Sequence, residues 1–96
     1  MQINGLPMIR NEKLTGYELG DGFYYYDVSA GSTLADHEHP YDETYWIMEG
    51  RGTVTIDAEV QDFDGPSEVH VPANVHHVFF TETQVRFFER RHIQPE

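Results

Sequence analysis

Ninety-six residues with a formal net charge of −11 and no cysteine make one domain, residues 1–96, near the lower end of what folds without cross-links. They exclude disulfides, thiolate metal sites and thiol nucleophiles. The acidic balance argues against nucleic acid and anionic membrane as partners, since both ask for a basic footprint. It reads as ordinary solubility or, because Lys13 is the only lysine, as adaptation to high salt.

No apolar run approaches membrane length, and the N-terminus lacks the charged-then-apolar layout of a signal peptide, so a cytoplasmic protein is expected. The apolar fraction, 39%, is below average, but six tyrosines, six phenylalanines and one tryptophan compensate, because each aromatic side chain buries a large area.

In chain order, "LPMIRNEKLTGYEL" (residues 6–19) reads as a strand, or as an arm packed on a neighbouring subunit. "GFYYYDVSA" (22–30) is an aromatic and β-branched strand in which either Tyr25 alone or Tyr24 with Tyr26 faces inward. "TYWIMEG" (44–50) and "TVTID" (53–57) flank "GRG", which reads as a hairpin turn. The acidic "DAEVQDFDGPSE" (57–68) reads as a hairpin rim and a turn, its charges a solvated face. "EVHVP" (68–72) and "HHVFF" (76–80) flank the turn "PAN", and "QVRFFERR" (84–91) is a final strand. No segment sustains a 3.6-residue apolar period. Short strands with a turn every eight to twelve residues predict an all-β sandwich or barrel.

The chemistry concentrates in "GSTLADHEHPYDETYWIMEG" (31–50). Successive side chains of a strand point to opposite faces, so His37 and His39 share one face, with Asp36 and Glu38 on the other. Past the bend at Pro40 and Asp42, alternation puts Tyr45 and Ile47 on the face of Glu43, with Thr44, Trp46 and Met48 opposite. Two imidazoles and a carboxylate suit one divalent transition metal. The competing reading is a polar loop with two surface histidines.

Gly31, His37, His39, Glu43 and Gly50 resemble the first motif of the cupin family at every fixed position. "GPSEVHVPANVHHVFFT" (65–81) resembles its second motif, with Gly65, Pro72 and His77 in place. Three departures mark it: the gap from Gly65 to Pro72 is one residue longer, Asn74 stands for a glycine, and Thr81 stands for the terminal asparagine. Asparagine tolerates a left-handed backbone better than other non-glycine residues, so the turn survives.

The resemblance implies a single cupin jelly-roll barrel, the double-stranded β-helix. It also implies one divalent ion (Mn, Fe, Ni, Co, Cu or Zn) on His37, His39, Glu43 and His77. His76, next in the chain, is the rival ligand and points away if His77 points in. His70 is expected as a packed or edge histidine and His92 as solvated in the tail. Tyr45 and Ile47 beside Glu43, and Phe79 beside His77, are expected to line a small pocket. Tyr45 is the candidate to orient substrate or donate a proton, and Arg86 either meets an anion or lies on the outer face.

A metal-dependent enzyme on a small molecule follows as the first reading, of dioxygenase, isomerase or lyase type. The second is a non-enzymatic module binding a sugar or organic acid through the metal, and the third a barrel for partner assembly. A homodimer is also implied, consistent with Trp46 and Met48 on the face away from the metal.

Overall fold

The computed structural model describes residues 8–10, 14–35 and 39–93. Every regular element among them is a strand: β1 (Met8–Arg10), β2 (Leu14–Gly20), β3 (Phe23–Val28), β4 (Thr33–Ala35), β5 (Asp42–Glu49), β6 (Arg51–Ile56), β7 (Glu59–Asp64), β8 (Ser67–Val71), β9 (His77–Thr81) and β10 (Val85–His92). Six form one sheet in the order β1-β2-β3-β10-β5-β8, and four form a second in the order β4-β9-β6-β7. All pairings are antiparallel. The expected jelly roll is therefore the fold. No helix among the described residues is long and apolar enough to cross a membrane.

Alternation decides which residues form the core between the sheets. Along β5, Glu43, Tyr45 and Ile47 are buried while Met48 is 51% exposed, following the period of two; Thr44, on the other face, is buried as well. Along β9, His77, Phe79 and Thr81 are buried and Phe80 is exposed. Tyr45, Phe79 and Phe87 meet across the sheets at centroid distances of 4.7 to 6.4 Å. Each such buried side chain contributes on the order of 1.5–3 kcal/mol. Of the three tyrosines in β3, Tyr26 is buried and Tyr24 packs against the core, which selects the Tyr24 and Tyr26 pair as inward. Tyr25 lies on the outer face, 5.0 Å from Phe88 and 6.3 Å from Tyr17.

Two local expectations change. "GRG" does not turn a hairpin: β5 pairs with β10 and β8, whereas β6 pairs with β7 and β9. Gly50, at φ 99°, instead carries the chain from one sheet to the other, so that both strands turn their alternating apolar face to one core. The "PAN" turn makes a similar crossing between β8 and β9, with Asn74 at φ 63°, the left-handed conformation its side chain tolerates.

The acidic segment 57–68 is more regular than a rim. It holds β7 and joins β6 through Asp57 and Ala58, both at positive φ, the backbone of a two-residue hairpin. Its charges are solvated as expected: Glu59, Asp62 and Asp64 are exposed and only Phe63 is buried. As the last strand of its sheet, β7 thus presents an acidic edge, which discourages edge-to-edge pairing.

Candidate metal centre

The two sequence motifs are fastened to each other by backbone hydrogen bonds. Gly31 N–H donates to the Thr81 carbonyl at 2.7 Å, and Thr81 N–H returns to the Ser32 carbonyl at 3.0 Å. The Thr81 hydroxyl accepts from Ser32 N–H at 2.9 Å and donates to the Ser29 carbonyl at 2.7 Å. Threonine in place of asparagine therefore closes this junction itself. At the other end, Gly65 N–H donates to the Gly50 carbonyl at 2.8 Å. Between them, Asn74 N–H donates to the His39 carbonyl at 2.6 Å, and Ala73 N–H to Asp42 Oδ1 at 2.8 Å. The unusual Asn74 turn is what holds the backbone of His39.

These ties bring His39, Glu43 and His77 together from three parts of the fold, one ligand atom of each lying within 4.8 Å of the others. Glu43 and His77 are each 1% exposed. His77 Nε2 stands 3.4 Å from Glu43 Oε1, and its Nδ1 lies 3.4 Å from the Val75 carbonyl. A ring that donates through Nδ1 keeps the Nε2 lone pair for the cluster. Glu43 Oε2 accepts from the Tyr45 hydroxyl at 3.1 Å, and the His39 ring stacks on Tyr41 at 5.0 Å.

The donor set fits a divalent ion. Donors on one first-row ion lie about 3–4 Å apart, so only small side-chain movement is needed. His37, the remaining expected ligand, lies outside the described residues. His76 is exposed while His77 is buried, so alternation places the rival ligand away from the cluster.

A cavity of about 380 Å³ opens beside the cluster and meets it through His77. Tyr45 and Phe79 line it as expected; Ile47, 1% exposed, sits in the core and is not among the lining residues. The strand reading did not single out the polar wall contributed by β10, Glu89 and Arg91. Arg86, weighed as an anion partner, is on the outer face, bonded to Asp27 at 3.3 Å and Glu49 at 2.7 Å. With Arg86 out, Phe87, Glu89 and Arg91 face in.

Glu89 is 3% exposed and its carboxyl is pushed up to about 8, first by burial and then by a hydrogen bond with Glu43, against the pull of Arg91. Burial works against the charge of Arg91, but Glu89, 3.2 Å from its Nε, more than offsets this and raises the guanidinium further. Burial likewise raises the Tyr26 phenol.

His70 and His92 both lie away from the cavity. His70 is exposed on the edge strand β8, 3.7 Å from Asp42. His92 is not in a loose tail: it ends β10, exposed, with Nε2 2.9 Å from the Thr44 hydroxyl.

Two antiparallel sheets around a cavity, with a histidine and carboxylate cluster at its wall, define a jelly-roll domain with a candidate metal site. The chain belongs to the cupin family: the Cupin_2 family, a cupin domain, matches residues 24–89. An uncharacterized protein of Streptomyces coelicolor is 37% identical over 54 residues, 56% of this chain. The aligned segment spans about half, 51%, of that relative.

Among solved structures, the plu4264 protein of Photorhabdus luminescens superposes with a TM-score of 0.77 at 15% identity, over 98% of this chain and 85% of that one. The Cupin_2 domain of an XRE family transcriptional regulator from Enterobacter cloacae gives 0.78 at 14% identity, over 88% and 100%. Salicylate 1,2-dioxygenase from Pseudoaminobacter salicylatoxidans gives 0.70 at 20% identity, over 83% of this chain and 21% of that enzyme. Identities this low speak to the fold alone.

Proposed function

We propose that the protein is a metal-dependent enzyme acting on a compact small molecule in the barrel, with His37, His39, Glu43 and His77 holding the ion. One observation carries this reading: a cluster of two imidazoles and a carboxylate, with Glu43 and His77 buried and His39 half-buried, borders a cavity of small-molecule size. A bound divalent ion would supply Lewis acidity, an activated water or, as iron, oxygen chemistry. The chain's own contribution is placement. Tyr45 fixes one oxygen of Glu43 while its ring forms cavity wall, and Phe79 and Phe87 keep water from that wall.

The second reading, a non-enzymatic module that binds its ligand at the metal, is favoured by the likeness to a domain of a transcriptional regulator. Elemental analysis of protein purified without chelator or affinity nickel tests the shared premise. About one transition-metal ion per chain is expected, and absence of stoichiometric metal at neutral pH overturns both readings. Product formation from a panel of small molecules then separates enzyme from module, since a module shows saturable binding without turnover.

We also propose self-association into a homodimer. The outer face of the larger sheet carries Phe23, Tyr25, Trp46 and Phe88 in ring contact, with Met48 51% exposed beside them, a contiguous apolar face of the kind that marks an interface. Light scattering on micromolar protein is expected to give twice the chain mass; the mass of one chain rejects the dimer.

A further inference from the structure

We propose that the cavity takes a compact monocarboxylate, an organic acid with an apolar, ring-sized body, and that Arg91 holds its carboxylate. This rests on reading the site as a ligand-binding metal centre and adds the class of ligand.

The placement of Arg91 carries the argument. In the register of β10 against β5, Arg91 stands directly opposite Glu43, and Glu89 opposite Tyr45. Directly opposed residues have Cβ atoms about 4.5–5.5 Å apart, so the Arg91 side chain leaves the sheet beside that of Glu43, and Glu89, hydrogen-bonded to Glu43 and paired with Arg91, links the guanidinium to the candidate metal cluster. A cation beside a metal site is unfavourable unless something negative lies between them. Glu89 is one such group, 3.2 Å from Arg91 Nε.

Glu89 does not use up the guanidinium. Arginine has five N–H donors in a planar fork, and the structure gives this one Glu89 and the Tyr26 hydroxyl as hydrogen-bond partners. The Tyr24 ring lies 4.3 Å beneath it and holds its plane. The Arg91 side chain is still 31% exposed and lines the cavity, whereas that of Glu89 is 4% exposed. A ligand can reach the first and not much of the second.

The rest of the wall selects the ligand. Among the described lining residues Arg91 is the only one with a guanidinium or ammonium group, Glu89, buried and paired with Arg91, is the only carboxylate, and none is Asn or Gln. A sugar needs several such planar amide and carboxylate partners. A single arginine among Tyr26, Tyr45, Phe79 and Phe87 fits one carboxylate on an apolar body. The net charge of −11 does not prevent this, because surface charges beyond a Debye length of about 8 Å are screened at physiological salt.

The test compares benzoate with its uncharged isostere benzamide, and butyrate with butyramide, by calorimetric titration and thermal shift. It uses the whole chain both loaded with Zn and stripped by chelator. Metal content is measured first in every sample, so that loss of the metal, which would defeat the functional reading, is seen separately from loss of carboxylate recognition.

The wild type is expected to prefer benzoate over benzamide by at least about tenfold, the typical worth of one charge-assisted bidentate contact. Arg91→Met should abolish that preference with metal content unchanged. The double variant Glu89→Gln, Arg91→Met spares the fold a buried carboxylate without its partner and should behave alike, while Glu89→Gln alone should keep the preference. The proposal is overturned if the amides bind as well as the acids, if neither acid binds at millimolar concentration, or if the preference survives in the Arg91→Met proteins.

Discussion

Glu43→Gln is expected to weaken divalent-metal binding by more than about a hundredfold, beyond the roughly 10–100-fold cost of altering residues that only support a ligand. The substitution keeps the size of the side chain and an oxygen to accept the Tyr45 hydroxyl, now 3.1 Å away, so the fold should persist by circular dichroism. What it removes is the one negative charge of the cluster, and with it most of the attraction for a dication in a site where both Glu43 and His77 are 1% exposed. His77→Ala should lose metal at least as severely, whereas His76→Ala, on an exposed side chain of the same strand, should leave it unchanged. Competition against a chromogenic chelator reads all three. Wild-type affinity in Glu43→Gln, or a large loss in His76→Ala, would place the metal elsewhere.

How much of this could be read from the sequence depends on phase. In β5 the phase came from Glu43: continuing the alternation from it gave the inward set Glu43, Tyr45 and Ile47, and all three are buried, although Thr44 on the other face is buried too. In β10 the adjacent Phe87 and Phe88 give no phase, since both are apolar. Packing against β3 and β5 decides that Phe87 goes in, and Glu89 and Arg91 follow two and four residues on. The polar wall of the cavity was therefore present in the sequence pattern but ambiguous until Arg86 was seen pairing outside with Asp27 and Glu49.

The crossings were harder still. A glycine between two strands serves a hairpin or a change of sheet equally well, and only the pairing partners of β5 and β6 separate the two. The motif spacing survived this because it depends on strand lengths and turn positions, which are local, rather than on which sheet each strand joins.

Gly31 and Gly50, the two ends of the first motif, are expected to respond very differently to alanine. Both have positive φ, 75° and 99°, a region that costs a residue with a Cβ about 1–2 kcal/mol. At Gly31 a Cβ meets nothing within 4 Å, so that strain is the whole effect. At Gly50 it would run into the Gln84 carbonyl oxygen and lie 2.8 Å from Val85 Cα. These are backbone atoms of the turn leading into β10, the strand flanked by β3 and β5, and they cannot rotate aside. Strain and overpacking together should cost roughly 3–5 kcal/mol, against a total stability of about 5–15 kcal/mol for a domain of this kind.

The damage reaches the metal cluster by a definite route. Gly50 joins β5, which carries Glu43, to β6, whose register with β9 sets Ile56 against His77. A forced shift at Gly50 thus separates Glu43 from His77. Thermal unfolding of the chelator-stripped proteins should show Gly50→Ala far below Gly31→Ala. Added metal should raise both melting points through linkage, but Gly50→Ala less, because its ligands no longer converge. Equal melting points for the two variants would show that the crossing yields cheaply and does not set the distance between the two halves of the site.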